Sequence, residues 1–161
     1  MPSPVYMTVV GEKQGAIDGG CTIKGREKTI LGQAVDSLVN IPKSPQTGLP
    51  TGKRVHNPFS VTAELDKATP KLYQALCSGE RMKSVQVDYY RISPTGTEEK
   101  YFTIKMENAI VVSMREYVPD CLRPENSTMG HMITYEFTYE KVIWTYVPDG
   151  IEGQDDWKAP V

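Results

Sequence analysis

A chain of 161 residues is the size of one domain and can bury roughly 70% of the surface its unfolded form exposes, so it needs no metal or disulfide to hold together. Hydrophobic residues at 39% and charged residues at 24% exclude collagen, coiled coil and wholesale disorder. Eighteen basic against twenty acidic residues leave a net charge of −2 and no positive field for nucleic acid, and the longest apolar run, Ala109-Ile110-Val111-Val112, is far short of the ~20 residues of a membrane span.

The opening Met1-Pro2-Ser3-Pro4-Val5 carries neither a basic stretch nor an apolar run, so an ordinary secretory signal is not expected and the chain should fold in the cytoplasm. Val5–Val10 has strand composition and stops at Gly11. Thr29-Ile30-Leu31 and Ser37–Ile41 read as strand pieces, with Gly32 between them marking a bulge or kink. The stretch Pro42–Lys53 holds three prolines and two glycines, which excludes a regular element. Its low charge and its prolines favour an ordered arm with an interaction role over a floppy linker.

Val55–Leu65 looks extended, interrupted at Pro58. Asp66–Gly79 contains the one helix, with Thr69 as N-cap, Pro70 in the first turn, Leu72, Tyr73 and Leu76 on one stripe, and Gly79 as terminator. Val85, Val87 and Tyr89, then a turn at Ser93–Gly96, then Phe102, Ile104 and Met106 alternate as a β-hairpin. Ala109–Met114 is apolar on both faces, so it should be covered on both sides. Pro119–Gly130 is a polar loop. Ile133, Tyr135, Phe137 and Tyr139 alternate, and the phase then flips to Val142, Trp144 and Tyr146, as a bulge near Glu140-Lys141 would produce. Many strands and one short helix give a mainly β fold, a compact two-sheet barrel or sandwich flanked by a helix, in a single domain spanning 1–161.

Chemistry is sparse. Cys21, Cys77 and Cys121 lie far apart and read as packing or surface thiols. His56 and His131 are the only histidines, have no clustered carboxylates for a metal, and read as hydrogen-bonded side chains beside a sheet. Gly48–Arg54 faintly echoes a phosphate loop but has the wrong glycine spacing and Arg54 where Ser or Thr belongs. Glu98-Glu99 and Asp155-Asp156 read as solvated surface pairs. No cofactor or metal is expected, and no enzymatic activity. A strand-rich chain with a stiff arm and unpaired sheet edges is a binding or assembly module.

The residues also resemble a known family. Pro4-Val5-Tyr6-Met7, Gly11–Gly15, Ile41-Pro42, Thr47-Gly48, Thr51–Phe59, Tyr89-Tyr90-Arg91, Lys105–Ala109, Tyr139–Tyr146 and Asp155-Asp156-Trp157 match in order the haemolysin-coregulated protein (Hcp) family, tube proteins of the bacterial type VI secretion system. The resemblance implies a two-sheet β-barrel flanked by one helix. It implies homohexameric rings that stack into a tube, with a spike protein, a contractile sheath and small effectors as partners. It implies export through the type VI system and no membrane insertion. The arm at about 42–54 suits the contact between rings, because a pre-stiffened loop loses less entropy on docking. Its candidate residues are Lys43, Ser44, Gln46, Thr47, Leu49, Thr51, Lys53 and Arg54. The alternative is a freestanding β-fold binding module or secreted effector that does not assemble.

Overall fold

The computed structural model describes residues 3–157. Strand β1 (Val5–Gly11) buries Val5, Tyr6, Met7 and Val9 and pairs on one edge with β2 (Gly15–Ile17) and β3 (Ile30–Asp36). The register of β3 slips between Gly32 and Ala34, where it meets β6 (Phe59–Glu64). Gly32 is required there: a Cβ on it would lie 2.7 Å from Val5 Cγ2 and 3.0 Å from Val61 Cγ1. Between β3 and β6 the chain leaves the barrel through β4 (Val39–Asn40) and returns through β5 (Val55–His56), which pair only with each other.

Helix α1 (Thr69–Ser78) starts one residue earlier than expected. Ala68 is the N-cap, and Thr69 is the first helical residue. The Thr69 hydroxyl is used elsewhere: it accepts from the Asp66 N–H and meets the buried Tyr135 hydroxyl at 2.9 Å. Gly79 ends the helix in the left-handed region, φ 71°, as its position predicts. Leu72 and Ala75 are fully buried, with Tyr73 and Leu76 packed beside them, and the helix lies on the second of the next two long strands.

Those strands are β7 (Arg81–Ile92) and β8 (Glu98–Tyr117), joined by the expected turn, in which Ser93 donates to Thr97 O and Gly96 takes φ 87°. Val85 faces Met106, Val87 faces Ile104 and Tyr89 faces Phe102, so the alternating apolar residues of the hairpin meet as cross-strand pairs in the core. On its other edge β8 serves two partners. Residues 110–117 pair with β9 (Met132–Thr138) and residues 102–107 with β10 (Lys141–Tyr146). The order β8-β7-β1-β3-β6-β9 thus returns to β8 and closes a barrel. Outside it β10 pairs with β11 (Ile151–Asp156), the last strand.

The phase flip near Glu140 has a different cause from the expected bulge. Thr138 faces Ile110 and Lys141 faces Glu107, so both strands advance three residues and neither carries an extra one. Instead both kink together. Asn108 takes φ 52°, a conformation asparagine tolerates better than most residues, and its side chain donates to Glu140 Oε2 at 2.9 Å. Burial on β8 flips with it, from Ile104 and Met106 to Ala109 and Val111.

Ala109–Met114 is not covered on both faces. Ala109 and Val111 are in the core, but Val112 is 43% exposed. The loop to β9 contains one short 3-10 turn, Pro124–Asn126.

Replacing Gly32 with Ala should cost about 1–3 kcal/mol, the usual penalty for overfilling a packed site. Urea unfolding should show a lower midpoint with an unchanged slope.

Candidate functional site

The arm is ordered, and its backbone explains why. Lys43 and Pro50 are cross-strand partners, Thr51 N–H donates to Pro42 O at 2.8 Å and Ser44 N–H to Leu49 O at 2.9 Å. At the tip the Ser44 hydroxyl accepts from the N–H groups of Gln46 and Thr47, and Gly48 supplies φ 72°. The arm is therefore a narrow β-ribbon rather than a coil. Its amides also dispose of the phosphate-loop echo: those of Gly48, Leu49 and Thr51 bond within the arm.

The candidate residues divide by position. Lys43, Gln46, Thr47, Leu49, Thr51 and Lys53 are exposed, with Leu49 at 65%; Ser44 is half-buried in the turn it holds. Arg54 differs from the others. Its Nε donates to Asp155 Oδ2 at 2.9 Å, and its Nη2 to Asp155 Oδ1 at 3.2 Å and to the Asp156 carbonyl at 2.8 Å. It sits at the root of the arm as a clamp on β11.

His56 completes this root. Arg54 and His56 are two apart on an extended segment, so both point to the same side. The imidazole side chain is 1% exposed, with Nε2 2.6 Å from Asp155 Oδ2 and Nδ1 2.7 Å from the Tyr139 hydroxyl. A carboxylate only accepts, so Nε2 carries the hydrogen toward Asp155. Burial pushes the Tyr139 phenol up to about 12, with the Asp155 charge adding to the effect. Tyr139 therefore keeps its proton, and its hydroxyl and the Asp155 carboxylate between them engage both ring nitrogens. Tyr139 and Trp157 pack against the ring, with centroids at 5.2 and 5.5 Å. An Asp–His pair can serve as a general base, but here Nδ1 is occupied by Tyr139 and the ring is enclosed. Arg54, His56, Asp155 and Tyr139 form a staple joining arm, barrel kink and last strand.

Sequence reasoning treated these residues separately. The bland reading of His56 as hydrogen-bonded holds, and His131 is likewise bonded, 2.8 Å from Glu116 on the surface. The reading of the acidic pairs as merely solvated does not. Asp155 is committed to the staple, Glu98 pairs with Arg26 at 2.8 Å and Glu99 with Arg91 at 2.9 Å. The Arg26 guanidinium also lies over the rings of Tyr90 and Tyr6, 3.8 and 4.7 Å from their centroids. The one available signal was the Arg-x-His spacing beside a late Asp-Asp pair. The three cysteines are free, Cys21 buried and Cys77 and Cys121 exposed.

Comparison with known proteins places this architecture. Residues 6–146 match the family model described as "Type VI secretion system effector, Hcp". The chain belongs to the Hcp family. It is 41% identical over 170 aligned positions to the "Major exported protein" of Pseudomonas aeruginosa, covering all of this chain and 99% of that one. A crystal structure of an Hcp protein superposes with TM-score 0.90 at 34% identity, covering 98% of this chain and 99% of that one. Secreted protein Hcp3 from Pseudomonas aeruginosa gives TM-score 0.79 at 34% identity, covering 97% and 99%. The chain is thus a tube protein of the type VI secretion system, built as a β-barrel with extra strands and one helix. No helix among the described residues is long and apolar enough to cross a membrane.

Arg54 first, and His56 second, hold the Asp155 carboxyl below the usual carboxylate range. A depressed pKa contributes stability that is complete above the unfolded value and is lost as pH falls through the folded one. Asp155→Asn should therefore lower stability by about 2 kcal/mol at neutral pH, since it leaves a largely buried guanidinium short of its charged acceptor. The gap between wild type and variant in urea midpoint should stay constant at neutral pH and close as pH falls below about 4.

Proposed function

We propose that this Hcp chain is a structural, non-catalytic subunit that closes into homohexameric rings, and that the rings stack through the arm into a hollow tube. The observation that carries the reading is the arm itself. It is ordered by its own hydrogen bonds, exposed along most of its length, and stapled at a fixed angle to a closed barrel. An element organised this way before binding loses little entropy when it docks.

Ring closure uses a heterologous contact whose rotation returns to its start; stacking uses a second that does not return. In this reading Lys43, Gln46, Thr47, Leu49, Thr51 and Lys53 make the contact between rings, Ser44 shapes the tip and Arg54 aims the arm. The partners are further copies of the chain, a spike protein at the tube end, a contractile sheath around it and small effectors within the channel. The subunit folds in the cytoplasm and leaves the cell through the type VI apparatus.

Native mass spectrometry of the full chain should give a six-fold mass. A persistent 18.0 kDa particle at every concentration would favour a freestanding binding module and overturn the reading. Deletion of Ser44–Thr51 joins Lys43 directly to Gly52, and these two residues can close the shortened ribbon as a two-residue turn, so the barrel should tolerate it. Electron microscopy of the deletion should show single rings and few stacks; long intact tubes would remove the arm from the stacking contact.

A further inference from the structure

Beside the staple the barrel wall carries a groove of about 450 Å³. Ile110 and the half-open Trp157 give it apolar walls, and Arg81 and Glu140 stand on its rim. The two charges differ in their engagement. Glu140 accepts from Asn108, whereas the exposed Arg81 guanidinium has no ion-pair or side-chain hydrogen-bond partner among the described residues. A groove with apolar walls and an uncompensated cation suits a segment that is apolar and acidic.

This chain has such a segment at the far end of the β10–β11 hairpin. The hairpin runs from Lys141–Asp156, at the groove, to Tyr146–Ile151, five residue steps or roughly 17 Å away. Its turn exposes Val147 and Ile151, the latter by 64%. Asp149 and Glu152 lie beside them, both exposed and without an ion-pair partner among the described residues. The turn cannot reach the groove of its own chain, because the paired strands hold the two ends apart.

We propose that the groove of one copy receives the Val147–Glu152 turn of a second copy, with Arg81 pairing to the Asp149 and Glu152 carboxylates and the aliphatic side chains covering Ile110 and Trp157. A contact between two different surfaces is heterologous, and its rotation decides whether it closes into a ring or repeats along an axis. The groove adjoins the arm root, since Trp157 packs on His56. The groove contact therefore belongs to the stacking interface rather than to ring closure. This inference rests on the stacked-ring reading above and supplies its second pair of surfaces.

Charge reversal in the full-length chain tests it. Arg81→Glu, or Asp149→Lys with Glu152→Lys, should raise the concentration needed for rings to stack roughly tenfold by placing like charges opposite each other. Native mass should still show intact rings, and thermal melting should be unchanged. Combining all three substitutions should restore stacking, as seen by sedimentation velocity and electron microscopy. Arg81→Gln, which removes the charge without reversing it, should fall between wild type and Arg81→Glu. Stacking that ignores both reversals, or a combined variant no better than the single reversals, overturns the contact. Loss of the rings themselves in the reversal variants would move it to the lateral interface and overturn its placement. Failure of the wild type to form rings would sink the stacked-ring reading itself, and the contact with it.

Discussion

Strand β8 pairs with three others, and the position of its bend at Asn108 decides where each of them goes. One edge is occupied by β7 along residues 98–110. The other edge is divided at the bend, β10 on one side and β9 on the other. Had β8 continued straight, β9 and β10 would have run on as one edge strand and left the barrel open beside β6. The left-handed residue that makes the bend is a local cost, of order 1–2 kcal/mol for a residue less tolerant than asparagine. It is offset in part by the hydrogen bond from the Asn108 side chain to Glu140, directly across the kink. Because both strands advance by equal residue counts through the bend, pairing resumes on its far side with the inward and outward faces exchanged.

The bend also explains how a two-stranded arm can be rigid. Alone, β4 and β5 share two residue pairs, too few to hold a ribbon against solvent. The kink brings Tyr139 to the arm root, and β11, paired to β10 through all six of its residues, brings Asp155. His56 lies between them with both ring nitrogens used. A bidentate guanidinium–carboxylate pair has a defined orientation as well as a defined distance, so the Arg54–Asp155 pair aims the arm as well as holding it. Residues about a hundred positions apart in sequence thus set the direction of a surface loop.

Much of the barrel was legible because the physics that forms it is periodic and local. Alternation in Val85–Tyr89 and Phe102–Met106 places a hairpin, and Pro70 with Gly79 brackets a helix. Arg54, His56 and Asp155 were not legible as one unit, because nothing local links them; only closure of the barrel and return of the last hairpin brings them together. Two misreadings have the same origin. Thr69 has the chemistry of a cap, but the buried Tyr135 hydroxyl needs a partner, and burial makes that need the stronger. Val112 sits in an apolar run, yet strand geometry turns alternate residues outward whatever their polarity, and no second layer covers them in a single subunit.

An outward Val112 and a 65% exposed Leu49 are individually unremarkable, since a folded surface is more than half apolar atoms. Their significance lies in being held on rigid backbone, one on a barrel strand and the other on a stapled ribbon. A net charge of −2 provides little long-range attraction or repulsion between identical copies, so association must be decided at contact range. At that range specificity comes from fixed geometry and from local pairs of unmet charge and apolar surface. Flexible loops bearing the same residues would pay an ordering cost at every subunit added. Rigid ones pay it once, during folding, which is the economy a polymer of identical subunits requires.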